Sequence, residues 1–449
     1  MDKKYRLSQF NHITGLPDSP DSVIFNFKTR RLMRLNPVQK RILDLAPFDN
    51  IDSPLGQTLY KKGFLTDADD EYENLFSEME QKKGCSRTMH LTVCTTMSCN
   101  FACKYCLETG YLRNTSMKKE VQEASLNFFD HWIETHEIER LQVVWFGGEP
   151  LLAPEVILSL SEHMIRVADS RGIRYEACVY TNGYLLDEKM LRLLEHCRVN
   201  MVRISIDGSK RFHDEMRVLK NGKGTYETIM NNLRIPAKIT YRIRCNMTRQ
   251  NKDCFDELKN ELQTISEESG NRILVKPERM RVERDVDRDL KAIELSYPEY
   301  YDLSNRLIRK QRKEDPGYLE DLMIPKEFTC SACNPNGFVI DNEGDILKCI
   351  FHVGDKSHAI GNVLSFPTEG FHSDAPDLRL YSDYVMTKRE KCRTCKLLPL
   401  CLGRCPLTQT IEGRYDCLRY IHDLDGIVLD LYQALRQDAG AFIADRASL

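Results

Sequence analysis

Residues 90–106 read HLTVCTTMSCNFACKYC, an apolar strand-like run followed directly by a loop with three cysteines. Cys99, Cys103 and Cys106 have the spacing C-x3-C-x2-C. Three thiolates leave one ligand position open, and an iron–sulfur cluster held in this way keeps one iron accessible for catalysis. A closed zinc site that also takes Cys94 is the alternative, although Cys94 lies within the predicted strand. The sequence therefore indicates an open iron–sulfur site just after a strand.

The sequence on both sides of this loop alternates strand-like and helix-like runs between residue 89 and about residue 310. The predicted strands cover residues 90–96, 141–147, 174–181, 201–206, 239–248 and 272–276. The predicted helices cover residues 118–136, 154–170, 187–196, 225–233 and 253–268. Such alternation requires right-handed crossovers and predicts an α/β fold with a parallel sheet. Because six units are fewer than the eight of a closed barrel, we expect a partial barrel or an open sheet.

Polar residues follow the second, third and fourth predicted strands, at the same end of the sheet as the cysteine loop. They are Gly147-Gly148-Glu149-Pro150, Thr181-Asn182-Gly183 and Ser205-Ile206-Asp207-Gly208, and Arg217 lies beyond them. Two glycines would let a ligand approach the backbone, and Glu149 could accept hydrogen bonds from an ammonium group. Asn-Gly and Asp-Gly pairs also occur in ordinary turns. Their grouping beside three cysteines predicts a binding site.

The composition is that of a globular protein without a strong net electrostatic field. The 449 residues include 64 Lys and Arg and 67 Asp and Glu, which gives a net charge of −3. We therefore expect neither nucleic acid nor a membrane as a partner. No apolar run reaches the roughly 18 residues of a membrane span, and the first residues lack a secretory signal pattern, so we expect a cytoplasmic location. In a reducing compartment, clusters among the 17 cysteines favour metal sites over disulfides.

Four motifs in order, CNFACKYC, GGEP, YTNG and SIDG, resemble those of the radical S-adenosylmethionine (radical SAM) enzymes over residues 89–248. The resemblance implies a partial (β/α)6 barrel in which Cys99, Cys103 and Cys106 bind a [4Fe–4S] cluster whose open iron is chelated by S-adenosylmethionine. The implied cofactor contacts are Tyr105 at the adenine, Gly147, Gly148, Glu149 and Pro150 at the methionine ammonium, and Thr181, Asn182, Ser205, Asp207 and Arg217 at the carboxylate or ribose. The family reaction yields a 5′-deoxyadenosyl radical, which removes a hydrogen atom from the substrate.

A second group of eight cysteines follows residue 318, where the regular alternation stops. It contains the pattern C-x2-C-x5-C-x3-C and resembles the SPASM extension of radical SAM enzymes. The resemblance implies two auxiliary [4Fe–4S] clusters, for three in all. One would be held by Cys330, Cys333, Cys349 and Cys405, and the other by Cys392, Cys395, Cys401 and Cys417. Adjacency alone would instead group Cys392, Cys395, Cys401 and Cys405, and two structural zinc sites are a further alternative.

Residues 1–85 carry no metal-ligand pattern. Residues 22–35 read as two short strands, Asn36 and Pro37 open a helix whose apolar face covers residues 38–45, and two more helices follow. This arrangement resembles the winged-helix-like domains that recognise leader peptides. A leader would add as a strand to the edge of the sheet and lie against a helix; a structural cap is the alternative. The expected domains are residues 1–85 (leader recognition), 86–317 (radical SAM barrel) and 318–449 (SPASM).

These expectations combine into a radical SAM enzyme that modifies a ribosomally made precursor peptide, with a thioether or another cross-link as the product. A flavodoxin or ferredoxin would supply electrons, and no residue is assigned as the catalytic base. The nearest alternative is an anaerobic sulfatase-maturing enzyme, which makes formylglycine. That group has an Asp directly after the cysteine equivalent to Cys349, whereas this chain has Ile350. A non-catalytic zinc or iron–sulfur binding module is the alternative from another functional class.

Overall fold

The computed structural model describes residues 4–281, 288–314, 330–382, 390–407, 417–418, 421 and 423–437. The chain divides into two compact units. The split unit comprises residues 1–84, 301–330 and 384–449, and the parallel-sheet unit comprises residues 85–300 and 331–383. The three-domain division expected from the sequence stays a prediction. Among the described residues, no helix is long and apolar enough to cross a bilayer.

The first segment of the split unit contains five short strands and three helices. The strands are β1 (Arg6–Leu7), β2 (Asn11–Gly15), β3 (Ser22–Asn26), β4 (Leu32–Leu35) and β5 (Leu65–Thr66), and the helices are α1 (Pro37–Leu43), α2 (Pro54–Lys61) and α3 (Glu71–Gly84). β2, β3 and β4 form an antiparallel sheet in that order, and β1 pairs with β5. As expected, Asn36 caps α1: its side chain accepts hydrogen bonds from the backbone of Val38 and Gln39.

The predicted apolar face of α1 does not lie in the protein core. Of its residues only Leu43 is buried, whereas Val38 is 58% exposed, Ile42 39% and Leu45 74%. Val38 and Ile42 lie one turn apart on α1, and Leu45 lies two residues beyond the end of the helix. We call these three side chains the α1 stripe. The sequence predicted an apolar face for this helix but not its burial, because spacing shows which side chains lie together but not what covers them.

Six parallel strands form the centre of the parallel-sheet unit. They are β6 (Thr88–Thr96), β7 (Arg140–Gly147), β8 (Arg174–Thr181), β9 (Val199–Ser205), β10 (Thr240–Met247) and β11 (Arg272–Arg279). Each pairs in parallel with the next along the chain. The predicted α/β fold with a parallel sheet is confirmed, and strand bounds differ from the prediction by at most three residues. Among the described residues β6 and β11 do not pair, so the sheet is not closed.

The helices of this unit alternate with its strands, and the five helices predicted from the sequence are all present among them. They are α4 (Lys119–Thr135), α5 (Pro154–Arg171), α6 (Glu188–His196), α7 (Lys210–Met216), α8 (Tyr226–Leu233), α9 (Phe255–Ser269), α10 (Arg288–Ile293) and α11 (Tyr297–Glu314), the last running across the boundary of the units. Along β7, Leu141, Val143 and Trp145 are buried and alternate with half-buried residues. One face of the sheet is therefore fully buried, and the other is partly accessible.

A later segment of the chain extends the same sheet. Its elements are β12 (Gly337–Ile340), β13 (Asp345–Leu347), β14 (Gly361–Asn362), α12 (Phe366–Glu369) and α13 (Pro376–Ser382). β12 pairs in parallel with β6, with Gly337 opposite His90. The sequence did not predict this strand, which lies in the cysteine-bearing region. Two predicted ligands, Cys333 and Cys349, are buried in this segment.

The last elements belong to the split unit and complete its core. They are α14 (Leu398–Cys401) and α15 (Leu424–Gln437). Phe25 and Phe27 pack in one apolar cluster with Leu397, Val428 and other residues of this late segment. Apolar packing therefore joins the beginning of the described chain to its last helix.

Candidate active site

The cysteine loop starts three residues after β6 ends, as predicted. Cys99, Cys103 and Cys106 are all partly buried. The loop after β7 is tied to its start, because Gly148 donates its N–H to the Thr96 carbonyl at 3.0 Å and Glu149 to the Ser98 carbonyl at 2.8 Å. Backbone hydrogen bonds thus hold the GGEP loop beside the cysteine loop.

The two glycines of this motif allow that close approach. Gly147 has φ +135°, and a Cβ there would clash with the Thr96 carbonyl oxygen. A Cβ on Gly148 would lie 2.5 Å from the Ser98 carbonyl oxygen. The backbone of the cysteine loop fills both spaces. The motif therefore needs glycine for packing between two loops, a reason that differs from the ligand approach expected from the sequence.

Glu149 is fully buried and accepts three hydrogen bonds within the protein. One oxygen accepts from the Leu151 N–H at 3.0 Å and the Thr181 hydroxyl at 2.7 Å, and the other accepts from the Asn182 N–H at 2.7 Å. Burial raises the pKa of Glu149 to about 7, while these donors oppose the rise. Glu149 therefore joins the ends of β7 and β8.

The other predicted residues at these strand ends lie close by. Asn182 donates its side-chain amide to the Asn100 side chain, inside the cysteine loop, at 2.7 Å. The Pro150 carbonyl accepts from the Thr95 hydroxyl at 3.4 Å. Ser205 ends β9 and is half-buried. Their contacts with a cofactor stay predictions.

A polar network connects the cysteine loop to the ends of β9 and β10. The Tyr105 hydroxyl hydrogen-bonds to the Asp207 carboxylate, and Arg217 donates to the same hydroxyl at 3.0 Å. Asn246 donates its side-chain amide to Tyr105 at 2.9 Å and to Asp207 at 3.0 Å. Three of these residues were predicted, whereas Asn246 was missed. It lies two residues before the end of a predicted strand and has no motif around it.

One hydrogen-bond donor of Arg217, its Nε–H, lacks an acceptor among the described residues. Its guanidinium is buried beside Asp207 and lies 5.8 Å from the Phe101 ring centre and 5.9 Å from that of Tyr105. Its Nε has no hydrogen-bond partner within the described residues. Because a buried charged donor without a partner is costly, the site fits an added acceptor such as a ligand carboxylate.

A buried histidine, His213, positions Arg217 through a chain of hydrogen bonds. His213 accepts from the Asp207 N–H at its Nδ1, at 3.3 Å, and its Nε2 therefore donates to the Thr225 hydroxyl at 3.0 Å. Thr225 in turn donates to the Arg217 carbonyl at 2.6 Å. Burial and the nearby Arg217 charge hold the pKa of His213 well below its ordinary value. Sequence reasoning missed both His213 and Thr225, because each acts only through tertiary contacts.

Burial disfavours the thiolate form of the three cysteines in this loop. Burial raises the pKa of Cys99 to about 12 and that of Cys106 to about 11, and it also raises the pKa of Cys103. Because metals bind thiolates, a cluster in this loop must supply the positive charge that these buried thiols lack. Cys94, the fourth ligand of the zinc alternative, packs in an apolar cluster and has its Sγ 3.4 Å from the Met97 sulfur.

Four cysteines of the second group line a single cavity of the split unit. Cys392, Cys395, Cys401 and Cys417 surround a space of about 360 Å³ together with apolar residues. Cys405 is not among its lining residues. These four cysteines are the second set implied by the resemblance, and they are not the set that adjacency would group. The binding of a cluster by this set, and by Cys330, Cys333, Cys349 and Cys405, stays a prediction.

Comparisons with known proteins agree with this site. Residues 93–262 match the model of the radical SAM superfamily. A serine-type anaerobic sulfatase-maturating enzyme of Bacteroides thetaiotaomicron is 33% identical over 147 residues, or 31% of this chain and 34% of that protein. This match thus spans about a third of that relative. A cysteine-type anaerobic sulfatase-maturating enzyme of Clostridium novyi is 24% identical over 324 residues, or 69% of this chain and 85% of that protein.

A solved structure shares the fold. Native anSMEcpe with bound AdoMet and the Cp18Cys peptide aligns with 78% of this chain and 98% of its own, with a TM-score of 0.53 and 20% identity. At this level of identity the likeness concerns the fold alone.

Proposed function

Because this chain is an enzyme with a radical SAM domain, we propose that it matures a ribosomally made precursor peptide by radical chemistry. The observation that carries the proposal is the meeting of the cysteine loop with the Tyr105–Asp207–Arg217–Asn246 network at the ends of three parallel strands. A metal-binding module without catalytic activity needs no such network. The polar residues point instead to a small-molecule cofactor beside the cluster.

In this proposal, Cys99, Cys103 and Cys106 hold the [4Fe–4S] cluster and leave one iron for S-adenosylmethionine. When bound, the pair supplies the 5′-deoxyadenosyl radical that removes hydrogen from the substrate. Arg217 uses its free Nε to bind the cofactor carboxylate. Tyr105, held by Asp207, Asn246 and Arg217, forms the wall at the adenine. Burial of these groups excludes water from the radical.

Cys392, Cys395, Cys401 and Cys417 hold an auxiliary cluster in this proposal. Their shared cavity of about 360 Å³ supports the assignment. A second auxiliary cluster at Cys330, Cys333, Cys349 and Cys405 completes the SPASM domain. The eight cysteines would hold these clusters, which would supply an acceptor for the electron left after bond formation or a binding site for a substrate thiolate. A flavodoxin or ferredoxin supplies the first electron.

The peptide part of the proposal rests on the first segment of the split unit. The α1 stripe is exposed, and α1 follows β4, which is an edge strand of its sheet within the described residues. An extended leader paired with β4 would cover both the free strand edge and the stripe. The anSMEcpe relative is itself described with a bound peptide. We propose that this segment captures the leader and that the core peptide becomes cross-linked, with a Cys thioether as the first candidate product.

The test is a variant with Cys99, Cys103 and Cys106 all replaced by alanine. We expect the reconstituted wild type to hold about twelve irons and the variant about eight, since each cluster contributes about four. The variant should make no 5′-deoxyadenosine. Cys85→Ala, at an exposed cysteine outside both groups, serves as the control and should behave like the wild type. Formation of 5′-deoxyadenosine by the triple variant would refute the assignment.

Formylglycine formation is the second candidate, and the sulfatase-maturating relatives favour it. Against it, Ile350 packs against the apolar cluster of Cys94 and Met97, at the position where that group has an Asp. Mass spectrometry separates the two products. Thioether formation removes two hydrogen atoms from the precursor peptide, whereas formylglycine formation from cysteine in a sulfatase-derived peptide replaces sulfur by oxygen and also removes two hydrogen atoms. Reaction with the sulfatase peptide alone would favour the second candidate.

A further inference from the structure

The partly accessible face of the parallel sheet carries a group of cationic side chains. On β9 and β10, Val202, Ile204, Tyr241 and Ile243 are buried. The residues that alternate with them point to the other face, which is exposed at Arg203, Arg242 and Arg244. The adjacent strand β11 exposes Lys276. We call these four residues the basic face.

Strand register brings the four residues side by side. Arg203 lies opposite Arg242 in the β9–β10 pairing, and Arg244 lies opposite Lys276 in the β10–β11 pairing. Neighbouring strands are about 4.8 Å apart, and residues two apart on a strand are about 7 Å apart. Four positive charges therefore occupy a patch only two residue steps long.

Side-chain carboxylates do not neutralise the arginines of this patch. Among the described residues, none lies within ion-pair distance of Arg203, Arg242 or Arg244. Arg203 donates instead to the Tyr180 hydroxyl at 2.5 Å and lies over its ring, 4.8 Å from the centre. On the same face, Glu176 accepts from Gln142 at 2.9 Å, and Glu278 is half-buried on β11.

The basic face leads directly to the candidate active site. Arg244 donates its Nε to the Asn246 side-chain oxygen at 2.9 Å. Asn246 also donates to Tyr105 and Asp207. At the rise of a strand, Arg244 lies about 7 Å and Arg242 about 13 Å before Asn246. An anion bound by these arginines would thus lie close to the reacting part of a substrate.

We propose that the basic face binds acidic side chains of the substrate peptide. The inference rests on the proposed peptide maturase function and names its substrate class: a core segment with Asp or Glu about two to four residues from the residue that is modified. An extended peptide places alternate side chains about 7 Å apart, which matches the spacing of Arg242 and Arg244. Charge-assisted pairing with arginine fixes the position of the peptide as well as its affinity.

The experiment uses the full-length reconstituted enzyme and two fluorescent Gly–Ser peptides. One peptide carries glutamate at alternate positions, and the other carries glutamine there. Fluorescence anisotropy at low salt should show that the wild type binds the glutamate peptide at least about tenfold more tightly. Arg203→Gln combined with Arg242→Gln should remove this preference. Arg192→Gln, which changes the same charge on the exposed surface of α6, should keep it.

A charge-reversal variant distinguishes a loss of charge recognition from a loss of folding. Arg242→Glu should weaken binding of the glutamate peptide and bind a matching lysine peptide more tightly than the wild type does. Equal binding of the glutamate and glutamine peptides by the wild type would overturn the proposal. A glutamate preference that survives in the double variant would also overturn it. Formation of 5′-deoxyadenosine by the wild type without peptide is measured separately, and its absence would count against the proposed function instead.

Discussion

Glu149 gives a test of what a buried carboxylate does at the strand ends. In Glu149→Gln the new amide must turn its NH2 group toward Asn182 or toward Leu151 and Thr181, all of which are donors. One buried donor then loses its acceptor, which costs about 1–3 kcal/mol. We expect the free energy of unfolding of the parallel-sheet unit to fall by this amount at pH 8, above the pKa of Glu149 of about 7.

Tryptophan fluorescence during urea unfolding measures this change. Both tryptophans of the chain, Trp132 and Trp145, lie in α4 and β7 of this unit. The control Glu123→Gln, at an exposed position of α4, should leave the transition unchanged. Equal midpoints for wild type and Glu149→Gln would show that the three hydrogen bonds do not stabilise this unit.

His213 makes the same unit sensitive to acid. Its pKa is lower in the folded state than in the unfolded state, because burial and Arg217 disfavour its charged form. Above the ordinary histidine pKa of about 6.5 the residue is neutral in both states; below it only the unfolded state gains the proton. The free energy of unfolding therefore decreases as the pH falls below about 6.5, by up to about 1.4 kcal/mol per pH unit for this residue.

The check is the pH slope of unfolding between pH 7 and pH 5. Wild type should lose stability more steeply than His213→Gln, although the variant is less stable at pH 7. Parallel slopes for the two proteins would contradict the prediction. Comparing slopes removes the contribution of the other titrating groups, which both proteins share.

Sequence reasoning named the residues of the candidate site that carry a motif and missed the residues that hydrogen-bond to them. Cys99, Glu149 and Asp207 stand in short patterns that follow strands, so their place at one end of the sheet could be predicted. Asn246 and His213 have no such pattern. Their roles depend on side chains that meet only after β9, β10 and α7 have packed.

Among the elements, α1 offers a direct test of leader recognition. Val38→Lys combined with Ile42→Lys places two charges in the α1 stripe without disturbing a buried residue. We expect precursor affinity to fall by about tenfold or more, since each apolar side chain contributes about 1.5–3 kcal/mol when fully buried. Gln57→Lys, an exposed position on α2, is the control. Titration of a labelled precursor measures the affinity, and iron content checks the fold.

Two outcomes separate recognition from structure in that experiment. If the α1 variant binds the precursor with unchanged affinity, the first segment of the split unit is a structural cap and does not recognise the leader. A proline within the leader should also weaken binding, because proline cannot donate the backbone hydrogen bond of an added strand. A leader that tolerates proline at every position would contradict strand addition.

Pairs of cysteine variants can decide how the second cysteine group is divided. If Cys392 and Cys417 share a cluster, Cys392→Ala combined with Cys417→Ala should retain about eight of twelve irons. Cys392→Ala combined with Cys405→Ala should then retain only about four, because two clusters are lost. Grouping by adjacency predicts the reverse. Iron analysis of the two reconstituted variants therefore distinguishes the two divisions without any activity measurement.

The elements of the parallel sheet were largely predictable, whereas the extension of the sheet was not. Alternating strands and helices leave a regular apolar pattern, and all six predicted parallel strands are present. β12 is only four residues long and pairs with β6, about 250 residues earlier in the sequence. A short parallel strand has no local turn to fix its partner, so no sequence pattern could identify the pair.

At the scale of the molecule, the split unit depends on residues from distant parts of the chain. Phe27 is fully buried in a cluster with Leu397 and Val428. Phe27→Ala should lower the free energy of unfolding by about 3–5 kcal/mol. If Cys392, Cys395, Cys401 and Cys417 hold the proposed auxiliary cluster, it should also reduce the iron content of the reconstituted protein. Val38→Ala, at an exposed apolar position, should do neither. Full iron content in Phe27→Ala would show that the auxiliary site does not require this core.

This shared core also changes the meaning of a truncation experiment. Removing residues 1–84 would expose the apolar surface of Leu397, Val428 and their neighbours. Loss of peptide binding in such a protein would then report misfolding instead of recognition. Point variants in the α1 stripe avoid this difficulty, since they leave the buried cluster intact.

The same core sets an order for events during protein synthesis. Phe27 and Leu397 are 370 residues apart in the sequence, which at 5–20 residues per second is roughly 20–75 s on the ribosome. The strands of the parallel sheet emerge one after another and can pair as they appear, whereas β3 must wait for its late partners with its apolar side chains uncovered. The nascent chain therefore needs protection from aggregation during this interval, and extra chaperone should raise the yield of native enzyme.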